Sequence, residues 1–143
     1  MDMKTSDKPR IPEEENTAAQ ERGTFVNCSN HPSVKWSAEQ RAEAEKYGPV
    51  MDLPFPEVPA GADIETVKEM ADELVDQILQ MNPAAVMCQG EFTLTFAIVR
   101  RLMKRDILCL SACAERDIAE TVMPDGTTSK QSFFRFTRFR PYE

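Results

Sequence analysis

The sequence lacks the features that mark several common classes of protein. Within its 143 residues no apolar run approaches the roughly 18 residues of a membrane-spanning helix, and the N-terminus lacks the apolar core of a secretory signal. It has four cysteines without a CxxC pair and a single histidine, which argues against a zinc module or a disulfide scaffold. We therefore expect a reduced, cytoplasmic protein that holds no metal or other cofactor and makes no membrane contact.

Familiar catalytic and nucleotide-binding motifs are also missing. No GxGxxG fingerprint, GxxxxGK[ST] phosphate loop or GxSxG nucleophile elbow occurs. The C-x₅-R pattern of cysteine phosphatases fails at Cys28, because Val34 stands in the arginine position. Cys28, Cys88 and Cys109 lie in apolar, strand-like runs, where cysteine usually acts as a small buried hydrophobe. Any site must therefore be sought in the loops between elements.

The charge of the chain is negative overall but uneven. The formal net charge is −7, whereas residues 97–143 carry nine basic and six acidic side chains. An acidic protein is a poor binder of duplex DNA, because that binding comes mainly from neutralised phosphates. The basic excess near the C-terminus is compatible with a local site for an anionic ligand or with an ordinary solubilising surface.

The chain divides into a polar tail and one domain. Residues 1–23 contain the run EEE and little that can offset the entropy of ordering, so we expect a disordered tail. In the domain, 24–143, Ser37 and Gln40 form a capping box at the start of a helix, and Asp63 caps a longer one. Strands are predicted at 24–29, 50–53, 84–88 and 107–112, helices at 37–47, 63–81 and 92–104, and a β-hairpin over 117–140.

This alternation of strands and helices predicts an α/β fold. Short apolar strands that alternate with helices indicate a parallel sheet with helices on both faces. We therefore expect a Rossmann-like three-layer sandwich, with a mostly parallel sheet and a C-terminal β-hairpin. Ligands of such folds bind at the carboxyl ends of the strands, near the switch in strand order. That rule selects the loops 28–32, 89–93 and 111–116, and the first two flank the switch if the strand order is 2-1-3-4.

The loop after the third strand offers an anion site at a helix N-terminus. Gly90 allows close approach of the backbone, the helix that follows supplies free N–H groups, and Thr93 adds a hydroxyl. Glu91 opposes an anion unless it points away or binds a ribose hydroxyl. The alternative interpretation is a glycine that ends a strand before an ordinary helix.

The loop after the first strand carries the single histidine. Ser29, Asn30 and His31 place a hydroxyl, an amide and an imidazole at one strand end, where His31 can serve as an acid or a base. The alternative is turn chemistry fixed by Pro32. Trp36 is interpreted as a core residue, with base stacking as the alternative.

The third loop and the last strand carry basic side chains. Ser111 is a further candidate ligand-binding residue, and Arg116 either binds a phosphate or pairs with a neighbouring carboxylate. The last strand mixes phenylalanines with arginines, which is typical of a charged edge strand, of a dimer contact or of a ligand platform. Strict alternation along it places Phe134 and Phe136 on the same face as Arg138 and Arg140.

Several of these segments together suggest a family. The runs FVNCSNHPSVKW, DLPFP, QGEFTLTFAIVRRL, LSACAERD and FRFTRFRPYE resemble small stand-alone CRISPR-associated proteins, which are similar to the CARF (CRISPR-associated Rossmann fold) superfamily. The resemblance covers residues 24–143. It implies an antiviral protein that binds cyclic oligoadenylates across a two-fold homodimer, and in the ring nucleases cleaves them without metal through the ribose 2′-OH. It places the ligand-binding turns at 29–31 and 90–93, with Glu91 as a departure from the neutral residue expected there.

Two functions from different classes follow. The first is a protein that binds, and in one version cleaves, a cyclic oligoadenylate or related nucleotide, with His31 handling the proton and Arg116 stabilising the phosphorane. The second is a non-enzymatic Rossmann-like module that recognises a mononucleotide or a protein partner. A nucleoside-processing enzyme using Glu91 or Glu115 has no paired-carboxylate spacing to support it.

Overall fold

A computed structural model describes residues 23–143, and the disordered tail expected at 1–23 lies, apart from Gly23, outside the described residues. Five strands and three α-helices alternate along the described part of the chain, with a 3₁₀ turn at Ser33–Lys35. In chain order they are β1 (Thr24–Cys28), α1 (Ala38–Glu45), β2 (Val50–Asp52), α2 (Ile64–Gln80), β3 (Pro83–Cys88), α3 (Phe92–Met103), β4 (Cys109–Val122) and β5 (Thr128–Pro141).

The side chains predicted to cap two helices, Ser37 and Asp63, both do so. The Ser37 side chain accepts a hydrogen bond from the backbone N–H of Gln40 at 3.1 Å, and the Asp63 carboxylate accepts one from the N–H of Thr66 at 2.8 Å. Each bond satisfies a donor that has no partner inside its helix. Of the apolar positions that follow helical spacing in α2, Val67, Ala71, Leu74, Val75 and Ile78 are buried, whereas Ile64, at the helix start, is exposed.

The strands form a single sheet in the order β2-β1-β3-β4-β5. β1 pairs in parallel with both β2 and β3, and β3 pairs in parallel with β4. The order 2-1-3-4 assumed for the switch point is therefore observed. The chain leaves β1 for one neighbour and returns to the other, so the switch lies between the loops that follow β1 and β3.

The prediction of a mostly parallel Rossmann-like sandwich is wrong. Segments interpreted as a fourth parallel strand and the start of a hairpin form one strand, β4, of 14 residues. Only its start pairs with β3, at Cys109 and Leu110, while an antiparallel ladder with β5 runs from Leu110 to Val122. The result is a mixed sheet that curls as a half-barrel. The apolar run 107–112 gives no sign that the strand continues into polar sequence, which explains the error.

A β-bulge decides which way β5 directs its aromatic side chains. Cys113 pairs with Arg138, but the next residue, Ala114, pairs with Phe136, which leaves Thr137 as the extra residue on β5. The alternation of faces therefore restarts at this position. Phe134 and Phe136 share a face with Phe139, and not with the arginines as strict alternation predicts. The ring centroids of Phe136 and Phe139 lie 4.9 Å apart.

The two faces of the sheet carry separate hydrophobic clusters. On one face Val26, Val86 and Cys88 pack with α2 and α3. On the other face Phe25 and Met87 pack with Trp36, α1 and the base of the hairpin. Trp36 is only 8% exposed, so the interpretation of this residue as core is confirmed.

The prediction that the cysteines in strand-like runs are buried is confirmed. Cys28, Cys88 and Cys109 are buried free thiols. Burial raises the pKa of Cys109 to about 11, and a hydrogen bond with Cys28 together with burial raises that of Cys88. The Cys88 and Cys109 thiols therefore stay protonated near neutral pH, whereas the hydrogen bond with Cys88 lowers the pKa of Cys28. Within residues 23–143 no helix is long and apolar enough to cross a membrane.

Candidate functional site

A cavity of about 420 Å³ opens at the carboxyl ends of β1 and β3, on the face of the sheet that packs against α1. Its lining comes from the loop after β1, from α1, from the end of β3 and from both strands of the hairpin. The lining residues are Ser29, Asn30, His31, Gln40, Met87, Gln89, Ala112, Ala114, Phe134 and Phe136. The cavity therefore stands where the switch in strand order predicts a ligand site.

Strand alternation explains why these side chains converge. Met87 belongs to the α1-side cluster, so Gln89, two residues on, points to the same side. On β4 the same face presents Ala112 and Ala114, whose small side chains leave the space open. The bulge at Thr137 then directs two phenylalanine rings of β5 toward that space.

A buried asparagine holds the loop after β1 in place. Asn27 is 1% exposed, and its Nδ2 donates to Asp52 Oδ1 and to the His31 carbonyl, both at 3.0 Å. The Ser29 hydroxyl donates to Asn27 Oδ1 at 2.6 Å and accepts from the backbone N–H of His31 at 3.2 Å. Trp36 Nε1 also donates to the His31 carbonyl, at 3.0 Å. The backbone is thereby fixed, while the side chains of Asn30 and His31 stay exposed at the cavity.

Two glutamine carboxamides line the cavity, Gln40 and Gln89, and neither was predicted as a site residue from the sequence. Gln40 is 6% exposed, and its Nε2 donates to Met87 Sδ at 3.8 Å, a weak acceptor. It does not reach back to the helix start as a capping box predicts. Gln89 Oε1 accepts from the backbone N–H of Ala112 at 2.6 Å, which fixes the carboxamide. Gln40 and Ala44 are the buried residues of α1, but nothing in the sequence indicated that this face of the helix packs against the sheet.

A second, more open cleft of about 580 Å³ adjoins the cavity. It shares His31, Gln40 and the two phenylalanines with the cavity, and its charged lining residues are the cations Lys35 and Arg135 and the carboxylate Glu39. Arg135 pairs with Glu115 at 2.8 Å and with Asp117 at 3.6 Å. The cavity itself is lined by side chains without formal charge, apart from the titratable imidazole of His31, so the positive charge lies outside it.

The candidate residues after β3 have another role. Glu91 caps α3 by accepting from the N–H of Leu94 at 2.8 Å and from that of Thr93 at 3.2 Å. Bonds from the Thr93 hydroxyl and from these N–H groups hold the pKa of Glu91 below its usual value. A Cβ on Gly90 would lie 2.4 Å from the ring of Phe55. Any larger residue would therefore clash with this ring, so the absence of a side chain at Gly90 makes room for Phe55. The carboxylate thus occupies the position at the helix N-terminus where an anion was expected.

The candidates from the third loop also stay outside the cavity. Ser111 lies on the other face of β4, near Tyr142. Arg116 is on the cavity side of the hairpin, two residues beyond Ala114, and its Nε and Nη2 donate to Ser132 Oγ at 3.1 and 3.0 Å. It does not pair with Glu115, whose carboxylate binds Arg135.

The structure therefore brings together one of the three predicted groups. Ser29, Asn30 and His31 meet at the cavity with the two glutamines and the aromatic wall. The groups at 90–93 and at 111 and 116 lie elsewhere. Among residues 23–143, no three or more histidine, cysteine, aspartate or glutamate side chains gather in a way that could hold a metal ion. What the arrangement can do is bind a planar, polar, uncharged group through amides, a hydroxyl and aromatic rings.

Comparison with known proteins gives one result. A search of curated proteins and a search of solved structures found no match. A family model with the description "Uncharacterized protein MJ1673 family" matches residues 23–140, so the chain belongs to that family.

Proposed function

We propose that the protein binds a nucleotide, with the base in the cavity beside α1. The observation that carries this proposal is Gln40, a nearly buried carboxamide whose nitrogen has, among residues 23–143, only a thioether as its hydrogen-bond acceptor. Burying an amide without a good partner costs free energy. A ligand that offers an acceptor and a donor to this carboxamide would recover that cost.

The size and chemistry of the cavity suit a base. A volume of about 420 Å³ lies within the usual range of roughly 300–1,000 Å³ for small-molecule sites. Carboxamides bind the edge of a purine through paired hydrogen bonds, and Gln40, Gln89 and Asn30 supply three of them. The rings of Phe134 and Phe136 offer apolar surface for stacking.

The phosphate belongs in the adjoining cleft. A phosphate inside the neutral cavity would be desolvated without a fixed countercharge, which is costly. Lys35 lies in the cleft that shares His31 with the cavity. A nucleotide that spans both places therefore has its base against the amides and its phosphate near Lys35.

The resemblance to the CARF superfamily narrows the ligand class. It favours a cyclic oligoadenylate as the nucleotide, and a CRISPR-associated antiviral role for the protein. Adenine offers N6 as a donor and N7 as an acceptor, the pair that a glutamine carboxamide matches. A mononucleotide is the alternative, and the same cavity would bind its base.

Cleavage of the ligand is a second candidate function, favoured by one observation. His31 is the titratable side chain among the lining residues, and its backbone is held by Ser29, Asn27 and Trp36. It can accept the proton of a ribose 2′-OH or protonate the leaving oxygen. Arg116 would have to leave Ser132 to reach the phosphate, so this candidate rests on His31.

Thermal shift and calorimetry with cyclic oligoadenylates, linear adenylates and other mononucleotides test the proposal. A ligand at 100 times its Kd stabilises the fold by about 2.7 kcal/mol. We expect Gln40→Leu to weaken binding roughly ten- to a hundredfold, while Gln77→Leu, an exposed glutamine on α2, leaves it unchanged. His31→Ala should remove any cleavage and spare binding. No shift with any nucleotide, or equal affinity in Gln40→Leu, would contradict the proposal.

A further inference from the structure

The outer edge of β4 lacks a strand partner over most of its length in the described part of the chain. Only Cys109 and Leu110 pair with β3, and β5 occupies the opposite edge. From Glu115 to Val122 every residue is exposed. This part of the hairpin is therefore a two-stranded ribbon, which is at best marginally stable in water without further packing. An unpaired edge of this kind is a template for another strand.

The sequence of β4 is complementary to itself in antiparallel register. If two copies pair around Ile118, Arg116 lies opposite Glu120 of the partner subunit, and two-fold symmetry repeats that pair. Ala114 then lies opposite Val122 of the partner subunit. Ile118 and Val122 are 62% and 71% exposed, so apolar surface is available at the axis and at both ends. No like charges stand opposite one another in this register.

The other long strand does not have this property. β5 carries Lys130, Arg135, Arg138 and Arg140 and no carboxylate. Two copies of β5 therefore cannot form opposite-charge pairs with each other. Charge complementarity accordingly favours β4 as the strand that meets a second copy.

We infer that the protein forms a two-fold dimer in which the β4 strands of two copies pair antiparallel around Ile118. The hairpins then join into a four-stranded antiparallel sheet. Because Ala114 lines the cavity, the hairpin end of the partner subunit borders the cavity mouth. The inference of a dimer rests on the unpaired outer edge of β4 and on the charges along that strand, and it does not depend on what the cavity binds.

Charge reversal at the paired positions tests this register by sedimentation or light scattering. In Arg116→Glu, and separately in Glu120→Arg, like charges meet twice across the axis, and we expect at least roughly tenfold weaker self-association. Mixing the two variants restores both opposite-charge pairs, so an equimolar mixture should form a heterodimer about as tightly as the wild type. Arg138→Glu makes the same charge change on exposed β5 and should leave the dimer intact.

Each result bears directly on the inference. A wild-type protein that stays monomeric at about 100 µM would overturn it, and so would a dimer that neither reversal weakens. Two monomeric variants that fail to combine when mixed would overturn the register. Circular dichroism of each variant checks that the domain is folded, and Ile118→Lys, which places two lysines at the axis, gives an independent second disruption. None of these measurements uses a nucleotide, so they do not test the proposed function.

Discussion

Replacing Gly90 with alanine separates two explanations of this glycine. The sequence suggests that Gly90 allows a phosphate to approach the backbone, whereas the structure places the ring of Phe55 against it. A Cβ at this position would lie 2.4 Å from Cδ1 and Cε1 of Phe55 and 2.6 Å from its Cγ. Carbon atoms in contact are normally about 3.5–4.0 Å apart, so the ring must move by more than about 1 Å.

The cost of that movement follows from where Phe55 lies. The ring is 4% exposed and belongs to the cluster beneath α2 and α3, so it has little room to shift. Overpacking of this kind costs about 1–3 kcal/mol. Replacing glycine also restricts the unfolded chain, which offsets about 0.4–1 kcal/mol. We expect Gly90→Ala to lower the free energy of unfolding by about 1–2 kcal/mol.

Urea denaturation of a double-mutant cycle checks the cause. In a Phe55→Ala background the ring is gone, so Gly90→Ala should become neutral or slightly stabilising, and the difference between backgrounds is the coupling energy. Because Phe55→Ala alone should cost about 3–5 kcal/mol, all four proteins are measured at a temperature where each is folded. If Gly90→Ala destabilises both backgrounds equally, the clash with Phe55 is not the cause.

Two further predictions concern the loops on either side of the switch point. Asn27→Ala removes the bonds to Asp52, Ser29 and the His31 carbonyl and should cost about 2–4 kcal/mol in urea unfolding; a loss below about 1 kcal/mol would show that the network does not hold the loop. The pKa of Glu91 is held below its ordinary 4.5, so its stabilising effect is present above that pH and is lost as the pH falls through the lower, folded-state value. Glu91→Gln should therefore be less stable than wild type at neutral pH and equally stable in strong acid, and a difference that persists there would contradict the assignment.

The parallel part of the fold could be predicted because its signals are local. Apolar runs, helix caps and helical spacing located β1 to β3 and all three helices within a few residues. The β-hairpin expected over 117–140 is also confirmed, as the antiparallel strands β4 and β5, but its continuity with the strand expected at 107–112 could not be predicted in this way. β4 leaves the core at its third residue and continues as exposed ribbon, so burial no longer marks it as a strand. Local patterns therefore mark the two ends of β4 as separate strands and do not report that they are one.

Only the part of the candidate site that lies in the loop after β1 could be predicted from the sequence. Ser29, Asn30 and His31 follow a recognisable strand, and the rule about carboxyl ends places them at the cavity. The groups at Gly90 and Glu91 follow the same rule but belong to the helix on the opposite face, where Glu91 satisfies the N–H groups itself. Gln40 was missed because its side chain is defined by what α1 packs against, which the sequence does not state.

The bulge at Thr137 connects the fold to the chemistry of the site. With regular alternation, Phe134 and Phe136 would share a face with Arg138 and Arg140. If that face met the cavity, the arginines would bring charge to its wall; if it faced away, the wall would contain no phenylalanine rings. The extra residue places the rings with Phe139 on the α1 side and leaves the arginines on the other. Apolar rings and amides then surround the cavity, while Lys35 and Arg135 stand in the cleft outside it. The parallel strands thus position the polar loop, but the antiparallel hairpin determines that the cavity suits an uncharged planar group.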